Sequence, residues 1–578
     1  MTKSTFNHKH VIPDLIGNPS PVKFIFWIII LFVIFFSRFY KLQSTPPSLS
    51  IDEVSIGYNA YSILKTGRDE WGTFMPVSFR SVGDYKAPTL IYLTVPFVKI
   101  FGLNELGTRL PVAIFSTLNI FLFWILAKRF IFNKKFIWLS YLSTLISSLS
   151  PWLIPFSRSG FEAVIALTFL LANLIFAFEF RKSGRLLHFF LMFLFAYLSA
   201  ITYHSTKIVV PLLNLFFIGL EFKSFKSCLS NWYKENRLAL GTTTILFIMI
   251  TFFFVQNFIF GSGSSRASMT MLSKDFDFAK GLLPQFLPHP YAGLTSFIGL
   301  FSLWFKRYLE YFSPNFYLTS GLGLVTPGQP GQGVIYAIEY LFLVLGFIML
   351  IFRSKFFESI LSTPLAAKIL TVWFFVSLIP ASVTNNSQHS LRTLNIIPVI
   401  AILITLGIAF IFVSIGQDRL KYLFGFFILL GYIFGIVRFA DYYSLHYPIE
   451  LSETRSYGWK QMALYARDHH TEYDSVYVDP RFGTQGPYTY GIPNTYFLFY
   501  LEYDPFKYVN DANRKSLSTD FENFKFLEIN WPDFDHTENN LYIASPWSIP
   551  VELIGSKQQR FYVPFLNNSS GLYAISDR

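Results

Sequence analysis

Residues 393–415 read TLNIIPVIAILITLGIAFIFVSI, a run with no charged side chain. About 20 apolar residues span the hydrocarbon core of a bilayer as a helix, and in lipid a lone segment can satisfy its backbone only as a helix. Working outward, ten further apolar runs lie at about 23–40, 108–127, 136–154, 161–178, 187–202, 207–220, 238–256, 334–352, 366–383 and 422–440, giving eleven candidate spans. Composition agrees. Of 578 residues, 52% are hydrophobic, 20% aromatic and 14% charged, against roughly 25% charged in soluble domains. The expected fold is mainly α, a polytopic transmembrane helical bundle of about 11 spans over residues 1–440, with a small C-terminal α/β domain over 441–578.

The net charge of +12 looks at first like a nucleic-acid signal, but its distribution follows topology, and no nucleic-acid partner is expected. The first span follows Lys9 and Lys23, lacks a small-residue cleavage site and ends at Arg38, so it reads as a retained anchor with a cytoplasmic N-terminus. From that start, the short loops carrying Lys128, Arg129, Lys134 and Lys135, then Arg181, Lys182 and Arg185, then Lys223, Lys226, Lys234 and Arg237 fall on the cytoplasmic side, as the positive-inside rule requires. Arg353, Lys355, Lys368, Arg419 and Lys421 follow by alternation. The exterior then receives loops 41–107 and 257–333 and the C-terminal region. A lone cysteine, Cys228, excludes disulfides within the chain and thiolate metal clusters.

Beyond Asp441 the spanning runs stop, and Asp, Asn, Pro and Tyr become frequent. Strand-like runs at Ser475–Asp479, Phe524–Ile529 and Leu541–Ala544, with a helical stretch from Trp459 to His470, predict a small separate α/β fold. Tyr488, Tyr490, Tyr496 and Tyr500 are candidates for stacking on sugars, with core packing as the alternative.

Chemistry concentrates in the first exterior loop. Ser50-Ile51-Asp52-Glu53-Val54-Ser55-Ile56-Gly57-Tyr58 sets two carboxylates about a dozen residues past the first span, at the predicted start of an interfacial amphipathic helix. The alternative is plain helix capping. Asp84-Tyr85-Lys86-Ala87-Pro88 follows, then an apolar stretch, then Thr108-Arg109-Leu110-Pro111 at the second span. Arg158 and Glu162 flank the fourth span in Ser157-Arg158-Ser159-Gly160-Phe161-Glu162, where an i, i+4 ion pair is the simpler reading. Tyr203-His204-Ser205-Thr206-Lys207 opens the sixth span, with a snorkelling lysine as the alternative. Arg392 closes Asn385-Asn386-Ser387-Gln388-His389-Ser390-Leu391-Arg392. In the second large loop, Arg266, Lys306, Arg307 and Glu310 among aromatics read mostly as interfacial anchors. Lys86, Arg109, Lys207 and Arg392 are cations able to offset negative charge of a ligand at the membrane surface, and a carboxylate such as Asp52 is ionised at neutral pH and able to accept a proton.

The order acid pair, Lys-x-Pro, apolar helix, Arg-Leu-Pro resembles the first loop of the polytopic GT-C glycosyltransferases, among them the protein O-mannosyltransferases and the lipid A aminoarabinose transferases. The resemblance covers residues 20–440 and is most specific in the N-terminal third. It implies an integral membrane glycosyltransferase using a polyprenyl-phosphate sugar on the exterior face, with acceptor glycan, lipid or protein. It implies Asp52, with Glu53, as the catalytic carboxylates, an inverting single displacement with Asp52 as base, and Lys86, Arg109, Arg158, Glu162, Lys207 and Arg392 around the donor phosphate and sugar. Tyr85, Tyr203 and His204 are secondary candidates. The first loop lacks the Asp-x-Asp of oligosaccharyltransferases, and Glu162 stands where some relatives carry Asp. No cofactor or metal site is expected, although a divalent metal stays open. The C-terminal region does not resemble lectin-like repeats, which points to a prokaryotic plasma membrane protein. The competing readings are a lipid-linked sugar flippase and a sensor. Transporters place ionisable groups at the midplane with repeat symmetry, and eleven spans exceed what an anchor needs.

Overall fold

The computed structural model of the protein describes residues 21–81, 84–235, 237–256, 292–322, 331–384, 388–484, 491–511 and 519–577. Arg266, Asn385, Tyr488 and Tyr490 lie outside the described residues.

The chain is mainly helical. Helix α1 (Pro21–Ile34) runs on through a π turn at Phe35–Phe39, and α2 (Ile51–Thr66) follows. A short antiparallel pair, β1 (Phe79–Ser81) and β2 (Asp84–Lys86), leads to α3 (Pro88–Phe101) and α4 (Glu105–Leu126). Then come α5 (Trp138–Leu149), α6 (Leu153–Ser157), α7 (Glu162–Ser183), α8 (Leu186–Thr202), α9 (Thr206–Leu220), α10 (Phe222–Glu235) and α11 (Arg237–Phe254). The bundle closes with α12 (Ala292–Glu310), α13 (Ala337–Phe352), α14 (Pro364–Ser382), α15 (Ile397–Ser414) and α16 (Asp418–Asp441).

Among the described residues, six helices are long and apolar enough to cross a membrane: Glu105–Ile131, Glu162–Ser183, Arg237–Phe254, Pro364–Ser382, Leu394–Ser414 and Asp418–Glu450. Three other expected spans are shorter apolar helices, Phe24–Phe39, Leu186–Thr202 and Ala337–Phe352. The run expected at 207–220 is α9, bent by 84° against α10. The run at 136–154 is broken: Ser150 takes ψ 121° before Pro151 and α6 starts afresh, because proline disfavours the helical region for the residue preceding it. The stretch read as a basic loop, 223–237, is itself mostly the amphipathic α10, anchored by Trp232 Nε1 donating to Gly184 O at 2.8 Å.

Close packing and polar pairs join the helices. A Cβ at Gly346 would stand 2.1 Å from Leu403 O, and one at Gly407 2.1 Å from Phe342 O, so α13 and α15 cross backbone to backbone, the contact that small residues permit. Asn119 donates to Val164 O at 2.9 Å across α4 and α7, and Asn173 to Met192 O at 2.8 Å across α7 and α8. Arg38, read as the flank of an anchor, is wholly buried and donates to Ser116 Oγ (3.3 Å) and Ser148 O (2.9 Å), as a guanidinium taken out of water must. Arg307 is likewise no interfacial anchor. It is buried and donates to Thr384 O at 2.9 Å.

The C-terminal region carries α17 (Trp459–His469), β3 (Ser475–Val478), α18 (Pro493–Tyr500), α19 (Pro505–Asn510), β4 (Phe524–Phe526), β5 (Asn540–Ala544), β6 (Gln559–Val563) and β7 (Leu572–Ser576). The sheet order is β4-β3-β5-β7-β6, with β3 parallel to both neighbours and β7 antiparallel to both of its own. The sheet has a small core of its own around Ile529, Tyr542 and Ile575, and the region also shares the core of the bundle. One hydrophobic core runs from the bundle through α2 into Tyr496, Phe497 and Phe499 of α18.

Candidate functional site

Helix α2 starts where its capping chemistry says it should. Glu53 N donates to Ser50 Oγ (3.4 Å) and Ser50 N donates back to Glu53 Oε2 (2.9 Å), the reciprocal capping box that satisfies two orphan donors. Gly67 ends the helix in the left-handed region at φ +69°. The expected interfacial placement does not hold: positions 53–60 are buried on every face, between α3 and α4 on one side and α18 on the other. At Gly57 an added Cβ would meet the Phe499 ring at 2.4 Å, so only glycine lets α18 approach this closely.

Consecutive helical residues differ by about 100° in direction, and here that turn separates the two carboxylates. Asp52 points outward, its side chain 48% exposed, and is ion-paired with Lys86, whose side chain is 5% exposed. The pair joins the first turn of α2 to the end of β2. Glu53 points inward and is 1% exposed. Its Oε1 accepts from Arg109 Nε (2.8 Å) and Gly160 N (3.2 Å), and Arg455 Nη1 lies 3.7 Å from Oε2. Burial pushes the Glu53 carboxyl up, but Arg109 and Arg455 outweigh it and hold the group below the usual carboxylate range. Glu53, expected to act beside Asp52, is therefore enclosed by its own partners and faces no open surface.

Two of the expected phosphate ligands are also committed inside. Arg109 is wholly buried and donates to the carbonyls of Leu42 (3.0 Å), Pro46 (2.9 Å) and Ser48 (2.6 Å) as well as to Glu53. Arg158, 3% exposed, donates to the carbonyls of Ser37 (3.2 Å), Tyr40 (2.7 Å), Lys41 (3.1 Å) and Thr45 (3.0 Å). Each planar guanidinium gathers several carbonyls at once, and together they knot the segment 37–48 that feeds α2. The simpler reading of Arg158, a helix-surface pair with Glu162, also fails, since Arg158 sits in the turn before α7 and reaches backward to this segment. Glu162 opens α7, half-buried.

The remaining candidates form a second group. Lys207 lies in the first turn of α9, half-buried, after Tyr203 and His204, which are half-buried at the α8–α9 junction. Asn395 donates to Ser205 Oγ at 3.0 Å, tying that junction to the turn carrying Arg392, which itself donates to Thr384 Oγ1. Thr202 donates to Thr89 Oγ1 at 3.0 Å, three residues beyond Lys86, so the two groups share one end of the bundle. Tyr85 sits half-buried in β2, opposite Arg80.

Sequence reasoning missed the C-terminal contributions. Arg455, 1% exposed, donates to Tyr447 Oη at 2.7 Å while facing Glu53. Glu105 accepts from Lys460 Nζ (2.7 Å) and Tyr500 Oη (3.1 Å), and Tyr496 donates to Leu49 O at 3.1 Å. No local pattern marks Arg455, Glu105 or Lys460, because Arg455 meets Glu53 and Lys460 meets Glu105 across hundreds of positions; Tyr496 and Tyr500, read as candidates for stacking on sugars, are instead buried in the core.

No family model and no curated protein matches the chain. Among solved structures it is similar to ArnT from Cupriavidus metallidurans bound to undecaprenyl phosphate, at 11% identity over 97% of this chain and 99% of that one, TM-score 0.46. The archaeal oligosaccharyltransferase AglB from Archaeoglobus fulgidus, in complex with an inhibitory peptide and a dolichol-phosphate, aligns at 12% identity over 83% of this chain and 64% of that one, TM-score 0.45. Both are members of the GT-C superfamily; at these scores the likeness assigns no residue a role.

Proposed function

We propose that the chain is an integral membrane glycosyltransferase that moves a sugar from a polyprenyl-phosphate donor to an acceptor hydroxyl on the extracytoplasmic face. The observation that carries this reading is the Asp52–Lys86 pair: a half-exposed carboxylate held on a buried ammonium, at one end of a bundle of apolar helices. In the reaction the acceptor oxygen bonds to the anomeric carbon as its proton passes to Asp52. The bond from that carbon to the phosphate oxygen breaks, and the phosphate leaves with the electron pair. One displacement of this kind inverts the anomeric configuration. Lys86 offsets the charge that develops on the phosphate, and Lys207 and Arg392 supply further cations for the donor. Glu53, Arg109 and Arg158 act as positioning residues that fix segment 37–48 and the first turn of α2.

An apolar groove of about 380 Å³ between α8, α9 and α11 supports a prenyl-chain site. It is lined by Phe193, Tyr197, Val210, Pro211 and Phe254. Val210 and Pro211 stand three and four residues after Lys207, on the same helical face, so a chain in the groove would bring its phosphate towards that ammonium.

The test supplies solubilised protein with radiolabelled polyprenyl-phosphate sugars and a native membrane extract, comparing wild type with Asp52→Asn. Label leaves the lipid with wild type and stays with the variant, while both proteins remain folded and bind donor. Donor that binds without transfer, and that crosses the bilayer in proteoliposomes, would make the protein a flippase instead.

A further inference from the structure

A second cavity, of about 640 Å³, lies between the end of α1 and the end of α16 and is capped by Tyr457 and Leu566 of the C-terminal region. Its two ends differ in chemistry. One is lined by Phe32, Phe36, Ile436 and Phe439, the other by Lys41, Arg158, Ser44 and Ser444. Lys41 and Arg158 are the charged residues on its wall, and among the described residues no Asp or Glu lines it. The carbonyls around Arg158 satisfy its N–H groups but do not neutralise its charge. Phe32, Phe36 and Leu445 on the rim are 61%, 46% and 60% exposed, so the cavity opens sideways onto the surface that faces lipid in a membrane protein.

We infer that this cavity holds an anionic phospholipid of the surrounding bilayer, an acyl chain along the aromatic end and the phosphate towards Lys41. An amphipathic, cationic cleft with a lateral opening matches that ligand in shape and charge. None of Asp52, Lys86, Lys207 or Arg392 lines it, so a lipid seated here does not present its phosphate to the proposed reaction site and is a resident rather than a substrate. Its wall includes Lys41, Ser44, Thr45 and Pro47, of the segment held by Arg109 and Arg158, so the lipid braces the approach to α2 from the membrane side. The inference stands independently of the transferase reading.

The experiment places the full chain in phosphatidylcholine nanodiscs doped with a phosphatidylglycerol carrying a diazirine in its acyl chain, or with the matching phosphatidylcholine probe, and maps cross-links by peptide mass spectrometry. The phosphatidylglycerol probe labels the segments around Phe32–Phe36 and Ile436–Phe439 in excess of the phosphatidylcholine probe. Lys41→Gln lowers that labelling roughly fivefold, the weight of one cation near a lipid surface. Ala440→Trp, on an exposed and lining position, fills the cavity and blocks labelling there by both probes, with Ser444→Trp as the replacement if thermal unfolding shows that variant misfolded. Equal labelling by the two lipids, or labelling that survives a folded cavity-filling variant, means annular contact only and overturns the inference. So does displacement of the probe by a polyprenyl phosphate but not by unlabelled phosphatidylglycerol, which would make the occupant a substrate lipid.

Discussion

At positions 52 and 53 one step of helical rotation puts one carboxylate at the surface and its neighbour inside. For Glu53 the consequence is stability. Removing one partner of a buried ion pair leaves the other charge unpaired, at a cost of about 3–5 kcal/mol. Glu53→Gln therefore lowers the Tm of the solubilised protein sharply, leaving Arg109 and Arg455 facing a neutral amide. The pH dependence has a definite sign. The folded-state pKa of Glu53 is depressed, so the pair's stabilisation is present in full above the unfolded carboxyl value of about 4.3 and is lost as pH falls through the folded value. Thermal melts of wild type against Glu53→Gln show a gap that narrows on acidification; a gap independent of pH through the acid range would refute the assignment. Arg109→Lys also destabilises, since an ammonium cannot fork to Glu53 and three carbonyls together. At this scale the sequence made the acid pair and the cations legible as candidates. It could not sort them, because which of Arg109, Arg158 and Lys86 is enclosed and which meets a half-exposed carboxylate depends on what each meets after folding.

At the scale of elements, hydrophobic runs identified helices more reliably than spans. The run at 393–415 became a buried helix of nearly the expected limits, because an uncharged run of that length has one stable solution in lipid. The run at 136–154 did not, because hydropathy averages over Pro151 while the backbone cannot. The amphipathic rhythm after Asp52 suggested an exposed face that α18 in fact covers, a contact no local pattern encodes. The helix start at the acid pair was legible, and the structure adds there the capping box of Ser50 and Glu53. Ser50→Ala removes half of that box and costs about 1 kcal/mol, seen as a modest drop in Tm with the same cooperative unfolding. Gly407→Ala costs more, about 1–3 kcal/mol for an overpacked contact, since the new methyl would meet the Phe342 carbonyl at 2.1 Å and α13 and α15 would have to separate.

For the molecule as a whole, the abrupt change of composition near 440 reads as a domain boundary, yet the packing ties the two sides together. Arg455 reaches Glu53 beneath the candidate site, Tyr496 holds Leu49 just before the cap of α2, and Tyr500 and Lys460 meet Glu105 at the start of α4. All eight residues of α18 are buried, and a fully buried large apolar side chain is worth about 1.5–3 kcal/mol. Stripping residues 441–578 would thus expose α2 along the face it shows to α18 and leave Glu53 with one cation. The expected outcome is that the truncated bundle inserts but elutes as aggregate on size exclusion, with no cooperative thermal transition and no transfer of label. Full-length Arg455→Met, which deletes the charge and its hydrogen bonds to Tyr447 but keeps the domain, stays monodisperse with a lowered Tm and a transfer rate that falls while donor affinity holds, since the positioning of Asp52 is lost and the Lys207 and Arg392 group is not. A truncated bundle that is monodisperse and active would mean instead that the C-terminal region merely rests on α2.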